Sequence, residues 1–367
     1  MSKAAELAAL IGSGQAQGDR NFVINGAMNV AQLSVSVTGL GDGDEGYVTL
    51  DRVRHTAAAS AGRFTSAQTA VSDLPGFLNC LHLDCTTADT SIASSELLVL
   101  EHRIEGQNLQ QLKKGTSSAE RITVSFYMKT NKAFTFMCAL NDYDNNRINT
   151  QQFTTTTDWT RHSITFVGDT SGALGDDANN SLSIELYLHA GATYTGGTYV
   201  ANTWQSRASS DNMRAVGIGS FYDSTDNDVK LTGLQMEIGE QATPFEHEDF
   251  GTTLAKCQRY FTRVPTIDGS TAYTFIASGM ATDTNQSIYP ISYPVTMRAN
   301  PSLTTSGSMR VYNGGTVNPS AGITLNSVST YSASVSVPTG SVLTTKDAVL
   351  VGLNNDVDAN FQFDAEL

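Results

Sequence analysis

The chain has 367 residues, a length that suits two or three domains. Lys and Arg total 22 against 36 Asp and Glu, a net charge of −14, and only 16% of residues are charged where roughly 25% is usual. That balance excludes a protein held to nucleic-acid phosphates by clustered basic side chains, and the Ser, Thr, Asn and Gly that supply the polarity instead favour short strands and turns over long solvated helices.

Residues 2–11 have the pattern of a short helix. Ser2 suits its N-cap, and Leu7, Leu10 and Ile11 fall on one apolar face before Gly12 and Gly14 stop it. So short a helix is marginal alone, so the segment is either a frayed terminus or an anchor or self-association contact built on Leu7, Leu10 and Ile11. It has no extended apolar core of the secretory kind, and no segment of the chain is long and apolar enough to span a bilayer.

From residue 20 the chain reads as strands. In Arg121–Thr130, Ile122, Val124, Phe126 and Met128 point one way, and Thr123, Ser125, Tyr127 and Lys129 the other. Phe134, Phe136, Cys138 and Leu140 repeat the pattern, which makes Cys138 a small buried hydrophobe. Leu182, Ile184, Leu186 and Leu188 do so again, with Ser183, Glu185, Tyr187 and His189 opposite. A period of two with one apolar face marks antiparallel sheets packed face to face. Trp159, just before the strand at Arg161–Val167, reads as core. The segment 229–238 breaks phase at Thr232–Gly233, where one extra residue restores the register, so a β-bulge is expected there. Gly, Asn and Asp clusters at 39–46, 141–146, 175–180 and 222–228 have turn compositions and suit a jelly roll.

Residues 252–262 carry Leu254, Cys257 and Phe261 at helical spacing, and Pro265 ends that helix. The charge changes here too. Residues 1–250 hold 29 acidic and 16 basic side chains, whereas residues 251–367 hold 7 and 6. The expected organisation is an N-terminal anchoring segment (1–20), a jelly-roll domain (21–250), a helical linker (251–264) and a small C-terminal β-sandwich (265–367). The fold class is all-β. In the last domain Ser332–Pro338 alternates, as do Phe361, Phe363, Ala365 and Leu367, while Pro290, Pro294 and Pro301 restrict nearby pairing to edges and turns.

Catalytic constellations are scarce. There is no Gly-x-Ser-x-Gly, no His-Glu-x-x-His and no P-loop. Cys80, His82 and Asp84 share one face of a strand, a spacing that three metal ligands can use, but alternate polar residues on a strand ordinarily face solvent. Asp142-x-Asp144-x-Asn146 imitates the start of a calcium loop, yet Arg147 stands where that loop needs Gly and Phe153 where it needs Glu, so a hairpin turn is expected, with a calcium site of another kind at one of the Asp-rich loops as the alternative. The four cysteines, Cys80, Cys85, Cys138 and Cys257, are sparse for a disulfide scaffold and fit synthesis in a reducing cytoplasm. No cofactor, metal or enzymatic activity is expected. Sugar binding needs only an aromatic platform with polar edges, and Tyr194, Tyr199 and Trp204 lie close together in a Gly/Thr-rich stretch that allows one, against the plainer reading of Trp204 as a core or rim residue.

Several segments together resemble the carbohydrate-binding-module-like β-sandwich proteins of bacteriophage tail fibres and related virion appendages. They are Asn21–Gln32, Arg103–Gly106 with Gly115–Thr116, Thr123–Phe126 with Lys129, Trp204–Gln205, Leu231–Gly239, Ala242–Glu246 and Cys257–Phe261, in the family's order over roughly residues 20–263. Tyr293–Leu303 is similar to the small distal domains of phage fibres. The family often has Asp-Arg-Trp near its start, where this chain has Asp51-Arg52-Val53. The resemblance implies a virion component, usually a homotrimer, with a sandwich for host-surface sugars, and the expectation is a fibre or spike subunit that contacts other virion proteins and attaches to a host-surface glycan. The charge balance, the lack of an apolar span and the sparse cysteines add the expectations of no nucleic-acid partner, no membrane insertion and synthesis in the host cytoplasm. The alternatives are a capsid-decorating head fibre or a tail adaptor with a purely structural role; a depolymerase is disfavoured because no repeat of short fixed period is present.

Overall fold

A computed structural model describes residues 20–207, 213–265, 273–317, 319, 322–340 and 342–367. Leu7, Leu10 and Ile11, and the helix expected over 2–11, lie outside the described residues. The chain divides at Thr253/Leu254 into two compact units.

In the first unit the described strands are β1 (Ser36–Leu40), β2 (Gly46–Tyr47), β3 (Arg54–Ala58), β4 (Arg63–Ala70), β5 (Asn79–Thr87), β6 (Leu97–Glu105), β7 (Ile122–Thr130), β8 (Thr135–Asp142), β9 (Arg147–Thr154), β10 (Thr160–Phe166), β11 (Asn180–Ala190), β12 (Gln205–Ser206) and β13 (Asp228–Ile238). They form a six-stranded sheet ordered β1-β4-β5-β13-β7-β10 and a seven-stranded sheet ordered β12-β9-β8-β11-β6-β3-β2, with antiparallel pairing throughout. One continuous core joins the two, with Leu81, Val124 and Phe126 from one sheet packed with Leu100, Phe136, Cys138 and Ile184 from the other. The period of two in β7, β8 and β11 is what supplies these inward faces. Val53 takes a core position at 6% exposure.

The bulge falls where the phase break put it. The β13–β7 register shifts between Thr232 and Gln235, and Gly233 sits there at φ +64°. A Cβ on Gly233 would come within 2.8 Å of Phe77 and 2.9 Å of Tyr127, so both backbone hand and space demand glycine. Asp142, Asp144 and Asn146 lie at the β8–β9 hairpin and its flank, as expected of a turn. Trp159 is a correction. It is half-buried, lies outside the core cluster and stands just before β10 on the outward side of the six-stranded sheet.

In the second unit the strands are β14 (Phe261–Val264), β15 (Phe275–Ala281), β16 (Gln286–Ser292), β17 (Ser302–Ser306), β18 (Met309–Tyr312), β19 (Thr316–Val317), β20 (Thr324–Val328), β21 (Ser332–Pro338), β22 (Ala348–Leu353) and β23 (Asn360–Asp364). A three-stranded sheet (β14-β23-β17) and a seven-stranded one (β19-β18-β22-β15-β16-β21-β20) share a core that includes Phe361, Phe363, Val335 and Val351. The helix expected over 252–262 runs from Phe250 to Gln258, and Phe261 already begins β14. Pro290 departs from the expectation of edges and turns. It sits within β16, paired to Ser334 of β21, and the sheet tolerates it because pairing with β15 stops at Ile288.

Candidate functional site

The outward face of the six-stranded sheet carries a site-like arrangement. Leu81 and Leu83 point into the core, so His82 points out. Register then aligns a row across four strands: Ala67 of β4 opposite His82 of β5, His82 opposite Lys230 of β13, and Lys230 opposite Lys129 of β7. Thr160 pairs with Met128, which brings Trp159 level with Lys129 at the end of the row. The connection from β4 to β5 folds over this row. Its Asp73 accepts the Trp159 indole N–H at 2.8 Å and the Lys129 ammonium at 2.6 Å.

These parts enclose a cavity of about 340 Å³ whose lining includes Thr69, Ser72, Asp73, His82, Trp159 and Lys230. On its floor, His82 Nε2 lies 3.4 Å and Lys230 Nζ 3.6 Å from Asp228 Oδ2. Hydrogen bonds from Lys129 and Trp159 hold the Asp73 carboxyl below the usual carboxylate range. Burial pushes the Asp228 carboxyl up, but the nearby His82 and Lys230 side chains bring it net below its ordinary value. Cys80, also in the lining, has its thiol pushed up by burial. Beside the cavity, Tyr127 packs on Phe77, with ring centroids 5.3 Å apart, and Phe77 on Phe245 at 5.1 Å. The arrangement offers an indole wall, hydroxyls and ion-paired side chains around a hollow of ligand size.

The tyrosines singled out from the sequence lie elsewhere. Tyr194 and Tyr199 pack against a second cluster, on the outward side of the seven-stranded sheet, that includes Val99, Met137 and Tyr187. Tyr199 accepts the backbone N–H of Gln152 at 2.9 Å, and the Arg214 guanidinium stands 5.7 Å over the Tyr194 ring. Trp204 packs instead against the main core, its indole N–H donating to the Val167 carbonyl at 2.8 Å. Tyr194 and Tyr199 thus share one surface, and Trp204 belongs to another cluster.

Next to the tyrosines, β6 and β11 place Glu101 and Glu185 directly opposite each other. Burial and the neighbouring Glu101 push the Glu185 carboxyl up. Its oxygens accept from Asn141 at 2.6 Å, Tyr143 at 3.2 Å and Tyr187 at 2.6 Å, while Arg54 and Arg103 each hold Glu101 at 2.9 Å. Every oxygen of this buried pair is already taken by a protein donor, which makes it a structural network. Cys80, His82 and Asp84 do share the outward face, but among the described residues no three His, Cys, Asp or Glu side chains gather as metal ligands. Among the described residues no helix is long and apolar enough to cross a membrane.

The two units are tandem all-β, antiparallel sandwiches. No family model matches the chain, and no curated protein matches it. Among solved structures it is similar to a family 4 carbohydrate-binding module (10% identity, TM-score 0.30, covering 59% of this chain and 99% of that one). It is also similar to the family 11 carbohydrate-binding module of a Clostridium thermocellum cellulosomal cellulase (14%, 0.27, 57% and 96%). A third is the enzymatically active domain of tailspike protein 4 of bacteriophage CBA120 (8%, 0.29), where 60% of this chain matches 22% of that one. At these scores they are distant likenesses, and the fold class stands on the strand pairing described above.

Proposed function

We propose that this protein is a glycan-binding structural component of a bacteriophage virion, a fibre or spike subunit that attaches the particle to a host-surface glycan and is not an enzyme. The observation that carries the glycan part is the cavity on the six-stranded sheet, where Trp159 and the Asp73, His82 and Lys230 side chains converge outside the core. A sugar presents an apolar ring face and a rim of hydroxyls, and such a hollow meets both. The virion part rests on the resemblance of the segments between Asn21 and Phe261 to phage tail-fibre proteins. Tyr194 and Tyr199 remain candidates for a further contact on the opposite sheet.

The homotrimer belongs to the same proposal. What supports self-association is the outward face of the second unit. Phe275 is 42% exposed, Met280 50% and Tyr312 37%, and the face pairs Met280 with Ile288 and Tyr312 with Leu350. An antiparallel sheet ordinarily keeps one face polar, and exposed apolar patches mark contact surfaces. Glycan arrays and host-cell binding with the purified protein test the function. Retention on host surface polysaccharide, lost in Trp159→Ala, is expected; no retention on any glycan or host cell removes the receptor role.

A further inference from the structure

We infer that the cavity on the six-stranded sheet takes an uncharged sugar unit of one or two rings and rejects acidic sugars; this rests on the glycan reading of the same site.

The inference comes from how charge is arranged around the hollow. Lys129 is paired with Asp73 at 2.6 Å, and Lys230 and His82 both lean on Asp228, at 3.6 and 3.4 Å. Asp73 also holds the Trp159 N–H. A ligand carboxylate entering here finds Lys230, the lysine in the lining, already facing Asp228, and Lys129 beside it already paired with Asp73. It must displace Asp73 or Asp228 or lie beside them, and stripping water from an uncompensated charge costs several kcal/mol. Asp84 stands opposite Asp228 in the β13–β5 register and adds to the repulsion. A ligand ammonium meets the converse obstacle, since both carboxylates are already held by cations.

Hydroxyl groups meet neither. Paired ions keep spare hydrogen-bonding capacity. An ammonium has three donors and each carboxylate oxygen has a further lone pair, so Lys230 and Asp73 can each serve a sugar hydroxyl without leaving their partners. The Thr69 and Ser72 hydroxyls add donors and acceptors at the rim, and the Trp159 ring, Ala70 and Val71 give an apolar wall for the C–H face. About 340 Å³ is at the small end of ligand sites, which suits a terminal unit better than a long stretch of polymer.

The protein's two tryptophans make the test direct. In Trp204→Phe the remaining emission reports Trp159. This variant is titrated with methyl hexosides, the matching hexuronic acids and hexosamines, and calorimetry on the unaltered chain gives the same ranking should the variant not fold. A neutral methyl hexoside is expected to shift the emission saturably, with its uronate at least about tenfold weaker. Asp228→Asn, which leaves Lys230 and His82 without their carboxylate, is expected to narrow that gap. A uronate that binds as well as the neutral sugar overturns the inference and leaves the glycan reading standing. Emission and calorimetry that respond to no sugar overturn both.

Discussion

Lys114 is the residue whose removal the structure makes most costly. Its side chain is almost wholly buried, and its ammonium lies 2.5 Å from Asp142 Oδ2, 3.0 Å from Asp169 Oδ2 and 2.9 Å from each of the Ser171 and Gly172 carbonyls. One cation thereby ties the β8–β9 hairpin to the 169–172 loop. Asp169 has a second partner in Arg147, at 2.7 and 3.0 Å, and these cations hold its carboxyl below the usual range against the upward push of burial. Lys114→Met keeps the stem and removes the charge, leaving two buried carboxylates with the Arg147 guanidinium on Asp169. Breaking one side of a buried ionic cluster costs about 3–5 kcal/mol. In a unit of this size that lowers Tm by roughly 10 °C. The sign with pH follows. The variant can relieve its surplus negative charge by binding a proton on folding, so its deficit shrinks as pH falls from neutrality, and Lys114→Met/Asp142→Asn regains most of the loss. Calorimetric melts of wild type and both variants at two pH values measure this. A Tm within 2 °C of wild type at neutral pH, or a deficit that the double variant does not reduce, refutes the reasoning.

Further outcomes are expected. Gly233→Ala combines a left-handed backbone with a 2.8 Å approach to Phe77 and should cost about 2–4 kcal/mol in urea unfolding; a change below 0.5 kcal/mol contradicts the bulge. His55 and His102 are fully buried and pulled down by desolvation, to about 4 and about 3, so the folded state favours their neutral forms. Their contribution is complete above the unfolded value near 6.5 and drains as pH falls toward 4 and then 3, up to roughly 2 kcal/mol each at pH 5. Urea melts at pH 7.5 and 5 read this loss, and His55→Gln should make it smaller. Met280→Lys, on the apolar face of the second unit, should reduce any oligomer seen by light scattering to a mass near 39 kDa; an unchanged oligomer moves the contact elsewhere.

The inward faces were legible because a period of two is written in the residues themselves. Ile122, Val124, Phe126 and Met128 announce β7 without reference to any other strand. The bulge at Gly233 was legible for the same reason, as a break in that period. The cavity was not, because it depends on register. Nothing in the sequence around Lys129, Trp159, His82 or Lys230 says that these positions come level across four strands. Trp159 in particular reads as core by composition, yet its place just before β10 on the outward side and its bond to Asp73 put it at the surface. Asp73 lies in a Ser-Asp-Leu-Pro-Gly loop with no periodicity to flag it. Tyr194, Tyr199 and Trp204 show the converse. Closeness in sequence suggested one platform, but the chain between 191 and 207 passes from the outward cluster of the seven-stranded sheet to the margin of the main core.

The central claim is that the first sandwich recognises a glycan through the cavity walled by Trp159. A glycan array probed with the wild-type chain and with Trp159→Ala, both shown folded by their melts, tests it most directly. The account predicts wild-type retention on a set of glycans with uncharged ends and loss of that whole set in the variant. Retention of the same set by Trp159→Ala, or no retention by the wild type, contradicts it.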